Sequence, residues 1–480
     1  MARWCNGTVN IGILLAALAW GLPAEARDVV DQQQTTIDYI AQAIALGGPT
    51  HQRLTQIVTA GVSEPMVALD LPLSCNWFSA NITIDIRTVE NGLPGATLLS
   101  HTTGARPRSN NSFGYSFDLQ DPVPLTAGQQ YAIVLSSDSD CTLLSGPDGD
   151  SYAGGDSYAN DDRIPLFPQV WTAMMPRRDL PFKTRVGRRA DVQMTFGPYP
   201  GLWRLTPDQQ WIQVHSVTPA AIVTGNFDAD PTDDVVVDFA SAGGLWVLYN
   251  RSVWRQLHPV SPAKMVAGDF DNDGRDELAV AFSGYGLFIW DAGVWTQIRD
   301  EVPRMMVAGD IDSGAEELVA DFDSDGLGFW DGSHWTSIAP VHPSSLVIAT
   351  LTDFGGNEIV AGFPGLGLWR WSRSSGWQRL HAVTPKLLAV ADLNRSTARQ
   401  VVVDFGAAYG IWILRDGTRW TWLHPLTSEG ISVADRDGSG RDDLLINFGA
   451  TWGLWQYTND LDWIRVHPHK PTLVSARRFR

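Results

Sequence analysis

"GDFDNDGRDELAVAF", residues 268–282, sets five acidic side chains and two glycines directly before an apolar, strand-like run. Asp269, Asp271 and Asp273 stand at alternate positions, Gly274 permits a sharp bend, and Glu277 opens the run that follows. A turn so crowded with like charge is costly without a cation, and calcium takes about six to eight oxygens of the kind such a turn presents. The spacing therefore predicts a calcium loop in which Asp269, Asp271, Asp273, the Arg275 carbonyl and Glu277 supply the oxygens.

The pattern recurs in weaker form. Asp435, Asp437, Ser439, Arg441 and Asp443 keep the spacing with a hydroxyl in place of one carboxylate. Asn226, Asp228, Asp230, Thr232 and Asp234 keep the oxygens but place Pro231 where the bend wants glycine. Both are expected as further calcium loops. Other copies are eroded: Asp310 and Asp312 precede a shortened loop, Asp353 stands nearly alone, and Asp392 and Asn394 meet Ser396 and Gln400. These read as structural turns.

The loops belong to a longer repeat. Gly-Leu-Trp at 201–203, 244–246, 367–369 and 453–455, with degenerate copies at 286–288, 326–328 and 410–412, makes seven markers spaced by 40 to 43 residues. Each opens a strand, and a second tryptophan follows at Trp211, Trp254, Trp295, Trp335, Trp377, Trp420 and Trp463. Next come a proline-containing turn, a small apolar run, the acidic loop and a β-rich run such as "VVVDF", 235–239. Four strands at this period are the signature of a propeller blade, a sheet too small to bury both faces without stacked neighbours. "RADVQMTFGPYPGLW" (189–203) and "PTLVSARRFR" (471–480) look like complementary halves of one blade. Shared between the chain ends, that blade would close a ring of seven and remove an exposed edge.

On these residues the chain resembles the FG-GAP or VCBS repeat of integrin α-subunit propellers and many secreted bacterial proteins, over roughly 197–480. The resemblance implies calcium at Asp269, Asp271, Asp273 and Glu277 in a hairpin loop, in a stabilising role. The eroded loops depart from the family's pattern.

Residues 60–187 lack the period. "NITIDIRTV" (81–89), "FGYSFDL" (113–119) and "YAIVLSS" (131–137), set between Gly, Pro, Asn and Asp clusters, read as antiparallel strands of a β-sandwich. "LGGPTHQRLTQIVTAG", "NGLPGATLL" and "PLTAGQQYAIVL" are loosely similar to a sandwich module found beside repeats in secreted bacterial proteins. The expected class is thus all-β: a sandwich over 60–187, then a seven-bladed propeller over 188–480. Within 27–59, Ile37, Ile40, Ala41 and Ile44 fall at helical spacing, so a short helix is expected there, before a first strand.

Residues 1–26 read as a signal peptide, with Arg3, the apolar "IGILLAALAW" (11–20) and Ala24-Glu25-Ala26 before the cut; an uncleaved anchor is the alternative. No transmembrane segment is expected after cleavage, and the location would be secreted, periplasmic or cell-surface. Cys75 and Cys141 are then the remaining cysteines, and in an oxidising compartment they read as a disulfide, with two buried thiols the alternative. The net charge of −18 argues against nucleic acid as partner.

Seventeen tryptophans between 203 and 463 suggest either sugar pockets or packing between blades, and packing is preferred. His215, His258, His381, His424 and His467 stand four residues after the second tryptophan, with Arg299 and Ala339 in the other two repeats. Such replacement favours structure or ligand contact over catalysis. Tyr152, Tyr158 and Trp171 are a weak candidate sugar platform. Asp233-Asp234 and Asp442-Asp443 are poor glycosidase pairs, since adjacent strand residues point to opposite faces. No Ser-His-Asp, P-loop or zincin motif occurs. The leading expectation is a non-enzymatic recognition protein binding a glycan or an extracellular protein, a design that some seven-bladed, integrin-like fungal lectins resemble. A polysaccharide-active enzyme and a structural surface protein are the alternatives.

Overall fold

The computed structural model describes residues 28–38, 43–48, 51–75, 80–105, 115–161, 171–174, 177–187, 189–228, 233–312, 314–352, 356–395, 398–458 and 460–476. Residues 1–26, read from the sequence as a signal peptide, lie outside them. The described chain is almost wholly β, broken by a 3₁₀ turn at Ala240–Ala242 and one helical turn at Gly449–Trp452.

In the N-terminal half a four-stranded sheet orders Asp28–Gln34, Phe182–Gly187, Pro65–Leu71 and Tyr115–Pro124. A six-stranded sheet is built around Gln52–Thr59, Gln130–Ser137 and Ile82–Glu90. Leu69, Phe117 and Phe182 from the first share one buried core with Leu54, Ile84 and Ile133 from the second. Cys75 and Cys141 face each other across antiparallel strands and are joined, as expected for an oxidising compartment. The segment 27–59 is not a separate preamble: Asp28–Gln34 pairs along Phe182–Gly187, so strands from both ends of this half complete one sheet. The expected helix is overturned where it can be seen, because Ile44 opens the strand Ile44–Leu46 against Cys141–Leu143; Ile40 and Ala41 lie outside the described residues. Tertiary pairing has overridden a weak local period. Tyr152 is no sugar platform but core, edge-on to Phe182 at 5.0 Å with its hydroxyl on Gln32.

From Val192 to Ala476 the chain forms four-stranded antiparallel sheets, each from consecutive strands save one, in which Pro471–Ala476 pairs beside Val192–Phe196. The inner strands, such as Ala221–Gly225, Lys264–Gly268 and Met305–Gly309, touch those of the preceding and following sheets, and Pro471–Ala476 touches both Gly430–Ala434 and Ala221–Gly225. The arrangement is β-propeller-like. The second strands, as in Glu277–Phe282 and Asp234–Asp238, are buried because neighbouring sheets cover both faces, which is why, acids at their ends apart, residues such as Val235, Val236 and Val237 are apolar in succession rather than alternating. Outer strands such as Val253–His258 are largely exposed.

The marker motif has a steric cause. Gly244 has φ +69°, and a Cβ there would lie 2.6 Å from the His258 carbonyl oxygen; Gly201, Gly410 and Gly453 meet the carbonyls of His215, His424 and His467 in the same way. The next residue is fully buried, as with Leu202, Leu245 and Leu454. The tryptophan then caps its own turn, Trp246 Nε1 donating to Gly243 O at 2.8 Å and Trp455 Nε1 to Trp452 O at 2.9 Å.

Candidate metal centre and blade junctions

Gly268 and Glu277 are paired across the hairpin, so the intervening loop must turn within eight residues and crowds its carboxylates. Oxygens of Asp269, Asp271, Asp273 and Glu277 all lie within 4.8 Å of one another. Asp269 and Glu277 are each 3 % exposed and form the floor, while Asp271 and Asp273 stand at the solvent side. Backbone N–H groups organise the ring: Asp273 donates to Asp269 Oδ1 and Asp271 Oδ1 at 3.1 Å, Gly274 to Asp269 Oδ2 at 3.3 Å, and Phe270 to Glu277 Oε2 at 2.6 Å. Positive φ at Asn272 and Gly274 permits the bend. Burial, reinforced by Asp271 and Asp269, pushes the Glu277 carboxyl up to about 8, and burial raises Asp271 as well. Arg275 reaches this cluster with its guanidinium, donating to Asp273 Oδ2 at 2.7 Å. Four converging carboxylates in an all-oxygen turn fit calcium, with charge to spare over what one arginine neutralises.

The other expected loops differ. In 435–443, Asp435 takes N–H groups from Gly438 and Gly440 at 2.8 Å, repeating the wrap. Ser439 accepts from Arg441 N at 3.2 Å, Asp437 from Ser439 N at 2.9 Å, and burial pushes Asp443 up to about 7. Yet these carboxylates do not join a close set of the kind found at 269–277, among the described residues. In 226–234, Asp234 spends its oxygens on Phe227 N and Asn250 N, at 2.9 and 3.0 Å, and Asp228 accepts from Asn250 Nδ2 at 3.0 Å. Asn226 is buried in a clasp described below, and Asp230 and Thr232 lie outside the described residues, as does Asp353. The loop read as an eroded turn does bring Asp310, Asp312 and Glu317 together within 4.8 Å. There Arg373 from the next sheet supplies positive charge, 2.9 Å from Asp312 and 3.4 Å from Glu317. Asp392 likewise pairs with Arg399.

A function that sequence reasoning missed falls to the acid just before the second strand. Asp276 N donates to Asn226 O of the preceding sheet at 2.6 Å, and Asp276 Oδ2 accepts from Asn226 N at 2.7 Å. Glu316 makes the same reciprocal clasp with Asp269, and Asp442 with Asp392. The acidic doublets therefore divide labour: the second acid serves its own loop and the first ties neighbouring sheets. Their recurrence as doublets was the visible signal.

The histidines take a comparable place. His215 stacks on Phe239 of the next sheet at 4.4 Å and lies edge-on to Trp254 at 5.6 Å. His258, His381, His424 and His467 repeat this against Phe282, Phe405, Phe448 and Phe196. Arg299 substitutes with its guanidinium 3.9 Å from the centre of the Phe322 ring. Each of these histidine rings is therefore fixed at a junction, and they do not form a shared metal site.

No protein-family model and no curated protein matches the sequence. Among solved structures, the chain is similar to BBS1N in a crystal of its complex with ARL6DN soaked with lead, at 14% identity and a TM-score of 0.40, over 60% of this chain and 87% of that one. A mercury-soaked crystal of the complex matches at 13% identity and a TM-score of 0.39, over 54% and 88% of the two chains. No helix among the described residues is long and apolar enough to cross a membrane.

Proposed function

We propose that this chain is an exported, non-enzymatic recognition protein: an N-terminal β-sandwich joined to a seven-bladed propeller, tightened by calcium, that binds carbohydrate between blades. The blade count is supported by the four-stranded sheets of residues 192–476, each holding one Gly-Leu-Trp marker or its degenerate copy, and by the cyclic contacts of their inner strands. The carboxylate loop joins the first and second strands and the marker turn joins the second and third, so the two lie at opposite ends of the sheet. The N-terminal half packs on the carboxylate end, where Arg395 donates to Leu119 O at 2.9 Å and to Asp118 at 3.0 Å, and Arg189 pairs with Glu64 at 2.7 Å. Among the described residues the marker end stays open, and it displays Tyr285, Tyr409 and Trp452 at 66, 57 and 51 % exposure.

The observation that carries the reading is a cleft of about 270 Å³ at this end, walled by His215, Phe239, Trp246 and Trp254. His215 Nδ1 accepts from Val217 N at 3.1 Å, so a neutral imidazole holds its proton on Nε2 and offers a donor beside aromatic faces. A ring wall plus a fixed donor suits a neutral sugar. An oligosaccharide array probed with the whole protein should give hits that Trp246→Ala removes. Silence across a broad array with a folded protein would sink the carbohydrate reading and leave a protein partner as the recognition target.

A further inference from the structure

A second groove, of about 570 Å³, opens at the junction of the 221–258 and 264–299 sheets, beside the carboxylate loop rather than at the marker end. Its wall carries Tyr249, Trp290 and Trp295 together with two arginines, Arg255 and Arg275. Arg255 lies over the Tyr249 ring at 5.6 Å and forms no ion pair among the described residues. Asn250 Oδ1 is buried there without a hydrogen-bond donor, while its Nδ2 is spent on Asp228, the acid at the groove's edge. This groove sets two arginines beside three aromatic rings, with Asp228 at its edge and Asp273 holding one of the two. It matches a ring that bears both hydroxyls and a carboxylate.

Arg275 is the variable part. Its guanidinium donates twice to Asp273 Oδ2, at 3.0 and 2.7 Å, and Asp273 is one of the four clustered carboxylates. A divalent ion among those carboxylates would compete for the same oxygen and repel the guanidinium, leaving it to the groove it already lines. We propose that this groove binds a sugar acid through Arg255 and Arg275, and that cation loading of the 269–277 loop completes it by releasing Arg275 from Asp273. The inference rests on the cation reading of that loop but concerns a separate groove and a charged ligand.

The probe is methyl glucuronide, with methyl glucoside as the neutral control, titrated calorimetrically into the full chain with calcium and after chelation. Glucuronide should bind in calcium and weaken about tenfold or more on chelation, the loss expected for one guanidinium–carboxylate bond. Arg255→Ala should abolish binding under both conditions while the calcium-induced thermal shift persists. Arg275→Met should hold binding at the chelated level whether or not calcium is added. A retained thermal shift with no glucuronide binding, or with equal binding of glucoside, overturns this inference alone. Loss of the thermal shift in the unmodified chain, together with calcium-independent binding, overturns the gating and the cation reading at once.

Discussion

Calcium should stabilise this protein more strongly as the pH rises, and Glu277 sets the scale. Its carboxyl is 3 % exposed, holds one N–H, that of Phe270, and faces Asp269 and Asp271. Without an ion, burial therefore pushes it from 4.5 to about 8. A carboxyl raised in the folded state is proton-bound where the unfolded chain is already ionised, so the ion-free protein loses stability as pH climbs through that window. At 1.36 kcal/mol per pH unit the full loss is on the order of 5 kcal/mol by pH 8. Calcium requires the ionised form, so binding expels the proton below that value and affinity grows about tenfold per pH unit until it is passed. At a concentration of about 100 Kd the ion stabilises by roughly 2.7 kcal/mol. Denaturant melts with fixed calcium at about pH 5.5 and about pH 8.5 should differ accordingly, with little calcium effect at the lower value. Glu277→Gln, which keeps an acceptor for Phe270 N–H without the charge, should remove its own share of the pH dependence of the ion-free protein, leaving that of buried carboxyls such as Asp443, and remove most of the calcium effect. Equal calcium shifts at both pH values, or a full shift in the Gln variant, would refute the assignment.

Asp276→Ala should cost about 1–3 kcal/mol by stranding the buried Asn226 N–H, yet leave the calcium shift in place, because that side chain ties two sheets rather than facing the ion; a lost shift in matched melts would contradict this division. Arg299→His should be tolerated, since histidine fills the same junction elsewhere, whereas Arg299→Ala should lower the melting temperature by exposing Phe322; equal melting of the two variants would argue against the stacking role. Reducing the bond between Cys75 and Cys141, which closes a loop of 66 residues, should cost roughly 4 kcal/mol in the N-terminal half, and an unchanged denaturation midpoint under reductant would count against it. Asp271→Ala should lose the calcium shift without lowering the stability of the ion-free protein, because it removes one of several repelling charges and the Asp273 N–H it bonds keeps Asp269 as acceptor; a drop in that stability would mean that this bond outweighs the repulsion.

Much of this was legible along the chain. Period, strand order within a repeat, the split sheet at the chain ends and the cysteine pair are properties of spacing, and spacing in a β repeat fixes which residues share a face. The carboxylate cluster at 269–277 was equally plain because its members are neighbours in sequence. The weaker loops were not, since the same spacing at 226–234 leaves Asp234 committed to Phe227 and Asn250 N–H groups. Conversely, the shortened loop at 310–317 gathers three carboxylates that no count of spacing favoured.

The sequence by itself determined the repeat, the strands and the one loop whose oxygens come from a single turn. Only the tertiary structure decided how the repeats speak to each other: Asp276 with Asn226, His215 with Phe239, Arg373 with Asp312 and Glu317, Arg395 with the N-terminal sheets. The physical reason is distance along the chain. Each of those partners lies some twenty to several hundred residues away, so their meeting depends on how sheets stack and where the ring brings its edges together. Local propensity carries no record of that.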